Sequence, residues 1–193
     1  MNLFRIKIAN QTIEVKAGYK DTSAWCRDFL TNDKPAFSIT INQQDIEAER
    51  QFSLGAYPGK KFSGSYLEFM SLFKKIPEKI IDYNVLLMHG ATISLNGESY
   101  IFTAPSGTGK TTHILKWTDN CHNAVVINGD KPFIKLNGDG NILACGSPWA
   151  GKESMYTNTI VPLKSIILME RSKENHIEQI SFADAFIFLL QQT

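Results

Sequence analysis

The chain has 193 residues, 43% of them hydrophobic and 20% charged, a globular composition that excludes disorder and suits one domain with a small appended subdomain. Twenty Lys+Arg stand against nineteen Asp+Glu for a net charge of +1, which excludes the broad basic footprint of a protein that lives on nucleic acid or anionic membrane. No apolar run approaches the ~20 residues of a membrane helix. The opening MNLFRIKIAN lacks a signal-peptide core, and the three scattered cysteines Cys26, Cys121 and Cys145 read as reduced thiols of a cytoplasmic protein.

Residues 3–8 (LFRIKI) and 12–15 (TIEV) alternate apolar and polar positions around a polar Asn-Gln pair, the pattern of an opening hairpin. Asp21-Thr22-Ser23 offers N-cap chemistry for a short helix over 24–30. Phe37, Ile39 and Ile41 alternate with Ser38 and Thr40 as a strand, and 43–52 is a charge-rich short helix. LGAYPGKKFSGS at 54–65 holds three glycines and a proline and is the best candidate boundary in the chain. Beyond it, Leu67, Met70, Phe73, Ile76, Ile80 and Ile81 stand at helical spacing over 66–83, with Pro77 expected to kink or break the helix.

Two apolar runs follow, 85–95 (VLLMHGATISL) and 99–104 (SYIFTA), joined by Asn96-Gly97-Glu98. Asn-Gly between such runs predicts a hairpin, because both residues accept the positive φ of a type I′ turn. AVVING at 124–129 reads as a buried strand. The stretches 133–136 and 141–145 flank a second hairpin signal, Asn137-Gly138-Asp139-Gly140. A strand at 165–170 and a terminal helix at 182–191 complete the chain. Many hairpins with few interleaved helices predict an α/β fold built on a mixed sheet rather than a regular doubly wound one.

One segment carries most of the chemistry: Ala104-Pro105-Ser106-Gly107-Thr108-Gly109-Lys110-Thr111-Thr112. It fits the phosphate-loop (P-loop, Walker A) pattern except that Ala104 replaces the first glycine, and it lies between a predicted strand and a predicted helix. Gly107 and Gly109 lack a Cβ, so backbone N–H groups can turn inward around an anion. The helix start adds its positive end. Lys110 supplies a mobile charge for the outer phosphates of a nucleoside triphosphate, and Thr111 a hydroxyl for Mg²⁺. ATP and Mg²⁺ are therefore the expected ligands.

Phosphoryl transfer also needs a carboxylate to hold metal or take a proton. Asp130 ends the apolar run 124–127 and suits that role, although the composition of Asn128-Gly129-Asp130-Lys131-Pro132 would equally suit a turn. His89, read as lying inside a strand hairpin-paired with the one entering the loop, is placed near the phosphates; His113 is expected to face solvent. Gly146-Ser147-Pro148-Trp149-Ala150-Gly151-Lys152-Glu153 suits either a flap carrying Trp149, Lys152 and Glu153 over a ligand or an ordinary hairpin exit with a half-buried Trp. No arginine lies between Arg50 and Arg171, so a bidentate clamp near the loop is poorly supplied.

His89-Gly90, the Asn-Gly hairpin, the strand into APSGTGKTT and the strand ending in NGDKP resemble the P-loop kinase core of the HPr serine kinase/phosphorylase family, which shares a fold with the ATP-dependent phosphoenolpyruvate carboxykinases. GSPWAGKE and Val161-Pro162-Leu163-Lys164 are also in keeping, and the resemblance covers roughly 66–190. It implies a P-loop kinase core at 66–193 after a small N-terminal α+β subdomain at 1–65. Gly107, Gly109, Lys110 and Thr111 match the ATP-phosphate and Mg²⁺ positions, and His89 matches a histidine near the phosphates. Asp130 matches one of two adjacent aspartates that bind metal and activate the acceptor hydroxyl.

Two departures stand out. Gly129 replaces the other aspartate, and the chain stops at Thr193, so it reads as C-terminally shortened against a family that continues into further helices. The implied function is an ATP/Mg²⁺-dependent phosphotransferase with Lys110, Asp130 and His89 as catalytic residues and Thr111 and Asp130 on the metal. Its acceptor is a serine of a small protein or peptide; nucleic acid and membrane are not expected partners, and a homo-oligomer is left open. The alternatives are a phosphoenolpyruvate carboxykinase-type small-molecule enzyme and a regulatory nucleotide-binding module without catalysis.

Overall fold

The alternating residues at the start of the chain form β1 (Asn2–Ile8) and β2 (Gln11–Ala17), an antiparallel hairpin. Its turn is Ala9-Asn10, with φ of 51° and 63°, one position earlier than the polar pair in the sequence; both residues take the left-handed region that the strand twist demands. Ile6, Ile8, Ile13, Val15 and Ala17 are buried along this ribbon, and β3 (Phe37–Thr40) adds to β2 in parallel. The computed structural model describes residues 1–190, and the chain divides into a unit spanning Met1–Val85 and a second from Leu86 onward.

Helix α1 (Lys20–Trp25) starts before the predicted 24–30, and its N-cap Tyr19 makes no side-chain cap. The cap comes from α3 (Gly64–Ile80) instead. The buried Glu68 carboxylate accepts hydrogen bonds from Gly18 N, Tyr19 N and Thr22 Oγ1, so Thr22 serves a partner far along the chain rather than its own helix end. The remainder of the predicted helix is a 3-10 turn, Arg27–Phe29.

Helix α2 (Gln43–Ala56) carries a full capping box between Asn42 and Asp45. Pro77 lies within α3 without ending it. So near the C-terminus the missing N–H forfeits a single helical bond, and a 3-10 turn, Ile81–Tyr83, then closes on Asn84 at φ 57°. Since α3 packs on α1, α2 and β3, the glycine-rich stretch 54–65 joins two helices of the first unit, and the division between units falls at Val85/Leu86.

The second unit is built on a seven-stranded sheet. In chain order its strands are β4 (Val85–Leu87), β5 (Ala91–Leu95), β6 (Glu98–Thr103), β7 (Val125–Asn128), β8 (Phe133–Leu136), β9 (Ile142–Cys145) and β10 (Ile160–Leu168), with helices α4 (Lys110–Asn120) and α5 (Phe182–Leu190). The spatial order is β4-β8-β9-β10-β6-β5-β7. β6 and β10 run parallel, whereas β5/β6, β5/β7, β8/β9 and β9/β10 run antiparallel. The sheet is therefore mixed, as the hairpin signals predict. Asn96 and Gly97 make the β5/β6 turn with φ of 52° and 83°.

The run 85–95 is not one strand. It breaks at residues 88–90 because β4 joins β8 whereas β5 joins β6 and β7 across the sheet, so His89 stands in a crossing rather than inside a strand. Gly90 permits the crossing: a Cβ there would lie 2.7 Å from Ile101 Cγ2. β10 begins well before the predicted 165, and Pro162 sits within it opposite Leu143, a residue type that argues against strand in the sequence.

Successive residues of β6 feed opposite faces of the sheet. Ile101 packs with Met88, Ile127, Ile134 and Ala144, joined by Leu189 of α5; Phe102 packs with Ala91, Ile93 and Ile114 of α4. The predicted terminal helix is described to Leu190, and Gln191 lies outside the described residues. Cys26, Cys121 and Cys145 are free thiols, and burial pushes Cys26 and Cys145 up to about 12. Among the described residues no helix is long and apolar enough to cross a membrane.

Candidate functional site

β6 ends at Thr103, residues 104–109 turn back, and α4 begins at Lys110. Ala104, at the first-glycine position, is fully buried. Gly107 and Gly109 hold φ of 81° and 114°, and a Cβ on either would meet nothing within 4 Å. Glycine is thus demanded by backbone conformation rather than by space. Thr108 ties the turn by donating from both N and Oγ1 to Pro105 O.

The N-cap is Gly109, with no side-chain cap, and the first helical bond runs from His113 N to Gly109 O. The N–H groups of Lys110, Thr111 and Thr112 therefore lack intrahelical acceptors and lie at the positive end of the helix. Lys110 is 8% exposed, and its Nζ donates to Ala104 O at 2.8 Å. Burial pulls its ammonium below the usual lysine range, opposed by the attraction of Asp130. Lys110 and Asp130 are thus close enough for their charges to act on each other.

Asp130 is held by a network around buried Asn128. Asn128 Oδ1 accepts from Asp130 N and Lys131 N at 2.8 and 2.6 Å, and its Nδ2 donates to Ser147 O and Oγ. Ser147 Oγ in turn donates to Lys131 O at 2.7 Å. The chain at 88–90 clips onto this turn through Met88 N to Pro132 O and Gly90 N to Asp130 O, both 3.0 Å. Thr103 Oγ1 donates to His89 O at 2.9 Å, which fixes His89 to the strand that enters the loop.

These constraints bring His89 Nε2 to 3.3 Å from Asp130 Oδ1, while Lys131 Nζ lies 3.2 Å from Oδ2. Burial raises the Asp130 carboxyl, but the His89 hydrogen bond and the Lys131 charge outweigh it and hold the group below the ordinary carboxylate range. An ionised carboxylate held between a histidine and a lysine results. Gly151, at φ 76°, lets the backbone pass so close that its Cβ would lie 3.0 Å from Asp130 Cβ.

The other predicted residues fall differently. Trp149 is 5% exposed, so its ring belongs to the interior rather than to a flap, and Lys152 and Glu153 stand exposed in the turn at 151–154. His113 does not simply face solvent: its ring packs edge-on against Phe102 at 4.5 Å, and its Nε2 accepts from Trp117 Nε1 at 3.1 Å. Arg171 was missed. It follows β10, and its Nη2 donates to Gly107 O at 2.6 Å, so the loop does have an arginine, delivered by a strand that the linear spacing does not place there. Asn128 and Ser147 were missed as well; the Asn-Gly-Asp order was the only local signal for the first.

Among the described residues no group of three or more His, Cys, Asp or Glu could hold a metal by itself. Mg²⁺ rarely requires one, since it binds through one or two protein oxygens plus substrate phosphates and waters. The ionised Asp130 and the Thr111 hydroxyl fit that donor set.

No protein-family model matches the chain, and no curated protein matches it either. Among solved structures, the HPr(Ser) kinase/phosphatase from Coxiella burnetii aligns over 48% of this chain and 65% of its own, with a TM-score of 0.36 and 12% identity. The chain thus spans 65% of the length of that protein. A likeness this distant carries no argument about activity.

Proposed function

We propose that the chain is an ATP/Mg²⁺-dependent phosphotransferase whose acceptor is a serine hydroxyl on a small protein or peptide. The observation that carries this reading is the meeting of His89 and Asp130 at 3.3 Å on the turn whose charge Lys110 feels from the loop. A binding loop alone needs no such pair; transfer does.

The outer phosphates of ATP lie on the N–H groups between Ser106 and Thr112, where left-handed glycines and a helix start favour an anion. Lys110 exchanges its bond to Ala104 O for a phosphate oxygen. Thr111 and Asp130 would hold Mg²⁺, which would supply charge neutralisation for the phosphates. The seryl oxygen bonds to the γ-phosphorus as the bond from that phosphorus to the β,γ-bridging oxygen breaks, leaving ADP. The seryl proton passes to the His89–Asp130 pair.

The test is label transfer from γ-labelled ATP to seryl peptides and phosphocarrier proteins, with thermal unfolding as the binding readout. Wild type is expected to gain Tm with MgATP and to phosphorylate serine. Lys110→Ala loses both. MgATP without effect on Tm, or a saturated protein that transfers to no acceptor, overturns the reading.

A second reading, a nucleotide-responsive regulatory module without catalysis, is favoured by one observation. Where the resemblance implies a second carboxylate, Gly129 stands with Ala150 O only 3.0 Å from its Cβ position. MgATP binding with neither turnover nor transfer would select this reading.

A further inference from the structure

We propose that the groove beside the loop, between the segment after β10 and helix α5, seats the amino-purine base of the nucleotide. This rests on the reading of residues 104–112 as the phosphate site. The groove measures about 310 Å³, and its walls include Pro105, Thr108, Met169, Glu170, Arg171 and Phe188. That volume lies at the small end of the range for small-molecule sites.

Position selects the occupant. Pro105 and Thr108 belong to the loop and to the groove at once, so a ligand anchored on the loop amides has its next groups there. The far wall is fixed to the same strand end: Met169 N donates to Thr103 O at 2.9 Å, and Arg171 Nη2 donates to Gly107 O at 2.6 Å. Loop and groove are therefore two sides of one framework.

Chemistry narrows it further. Met169, Pro105 and the half-buried Phe188 present apolar and aromatic surface, which suits the face of a heteroaromatic ring, and the Arg171 guanidinium can lie flat against such a ring. Glu170 is exposed at the rim. Its carboxylate would repel phosphate but accepts hydrogen bonds from an exocyclic amino group. The phosphates are thus directed to the loop end and the base to the Phe188 end.

The experiment is calorimetric titration of wild type, Phe188→Ala and Glu170→Ala with MgATP, magnesium tripolyphosphate and the magnesium complex of purine riboside triphosphate, which lacks the amino group. Wild type is expected to bind ATP about tenfold or more tightly than tripolyphosphate, in line with the loss on removing one base–aromatic stack. Phe188→Ala should abolish most of that advantage and leave tripolyphosphate affinity unchanged. Glu170→Ala, a change at an exposed residue, should remove the preference for ATP over purine riboside triphosphate. Equal affinity of wild type for ATP and tripolyphosphate, or ratios unmoved by both substitutions, overturns the base site and leaves the loop intact. Binding of none of the three ligands overturns the phosphate-site reading itself, and the base site with it.

Discussion

The carbonyl oxygen of Ala150 stands 3.0 Å from where a Cβ on Gly129 would be, with Met155 O 3.4 Å away on the same side. Both neighbours are backbone, and Met155 O already accepts from Gly129 N at 2.9 Å. A side chain at 129 therefore has to move the turn that follows Trp149.

Gly129→Asp is accordingly expected to destabilise the protein by about 1–3 kcal/mol, the ordinary scale of overpacking, and to add a like charge beside Asp130. It should lower Tm by several degrees in thermal unfolding without raising phosphoryl transfer. A variant as stable as wild type, with faster transfer, would show that the turn yields freely and that the second carboxylate was simply lost.

Asp130 gives stability a defined acid dependence. Its folded pKa lies below the ordinary value of about 3.9, so the unfolded chain takes up the proton first as pH falls. The contribution is complete above pH ~4 and is lost as pH drops through the lower, folded value. Urea unfolding of wild type and Asp130→Asn at pH 7, 5 and 3 should show a stability gap that is constant between the first two and shrinks at the third. A gap independent of pH would mean that His89 and Lys131 do not hold the carboxylate ionised.

His113 carries a second titration, on the helix that follows the loop. Burial, then the charge of Lys116, keeps its pKa below the ordinary histidine value of about 6.5. The unfolded state again binds its proton first, so stability is lost as pH falls from about 6.5 through the folded value. Protonation also turns Nε2 into a donor and ends its bond from Trp117 Nε1. Tryptophan fluorescence should therefore change with a midpoint below 6.5 in wild type and stay flat over that range in His113→Phe. The same titration in both proteins would assign it elsewhere.

Features governed by near neighbours were readable in the chain itself. The Asn96-Gly97 turn and the left-handed Gly107 and Gly109 follow from residues whose own φ preferences decide the outcome. The strand before the loop and the helix after it were equally plain, since hydrophobic period and N-terminal chemistry are local. The break at 88–90 was not: an unbroken apolar run looks the same whether one strand uses it or two strands share it across a sheet. The cap that Glu68 supplies to α1 and the hand of Arg171 on Gly107 were hidden for the same reason.

Sequence alone, then, determined a mixed α/β core with a glycine-bearing turn between strand and helix, because backbone preference and side-chain period act over a few residues. Only the tertiary structure decided that His89 meets Asp130, that a side chain at Gly129 would press on the Ala150 carbonyl and that Arg171 reaches the loop. Those are distances between segments far apart in the chain, set by the strand order of one sheet, and no local pattern encodes that order.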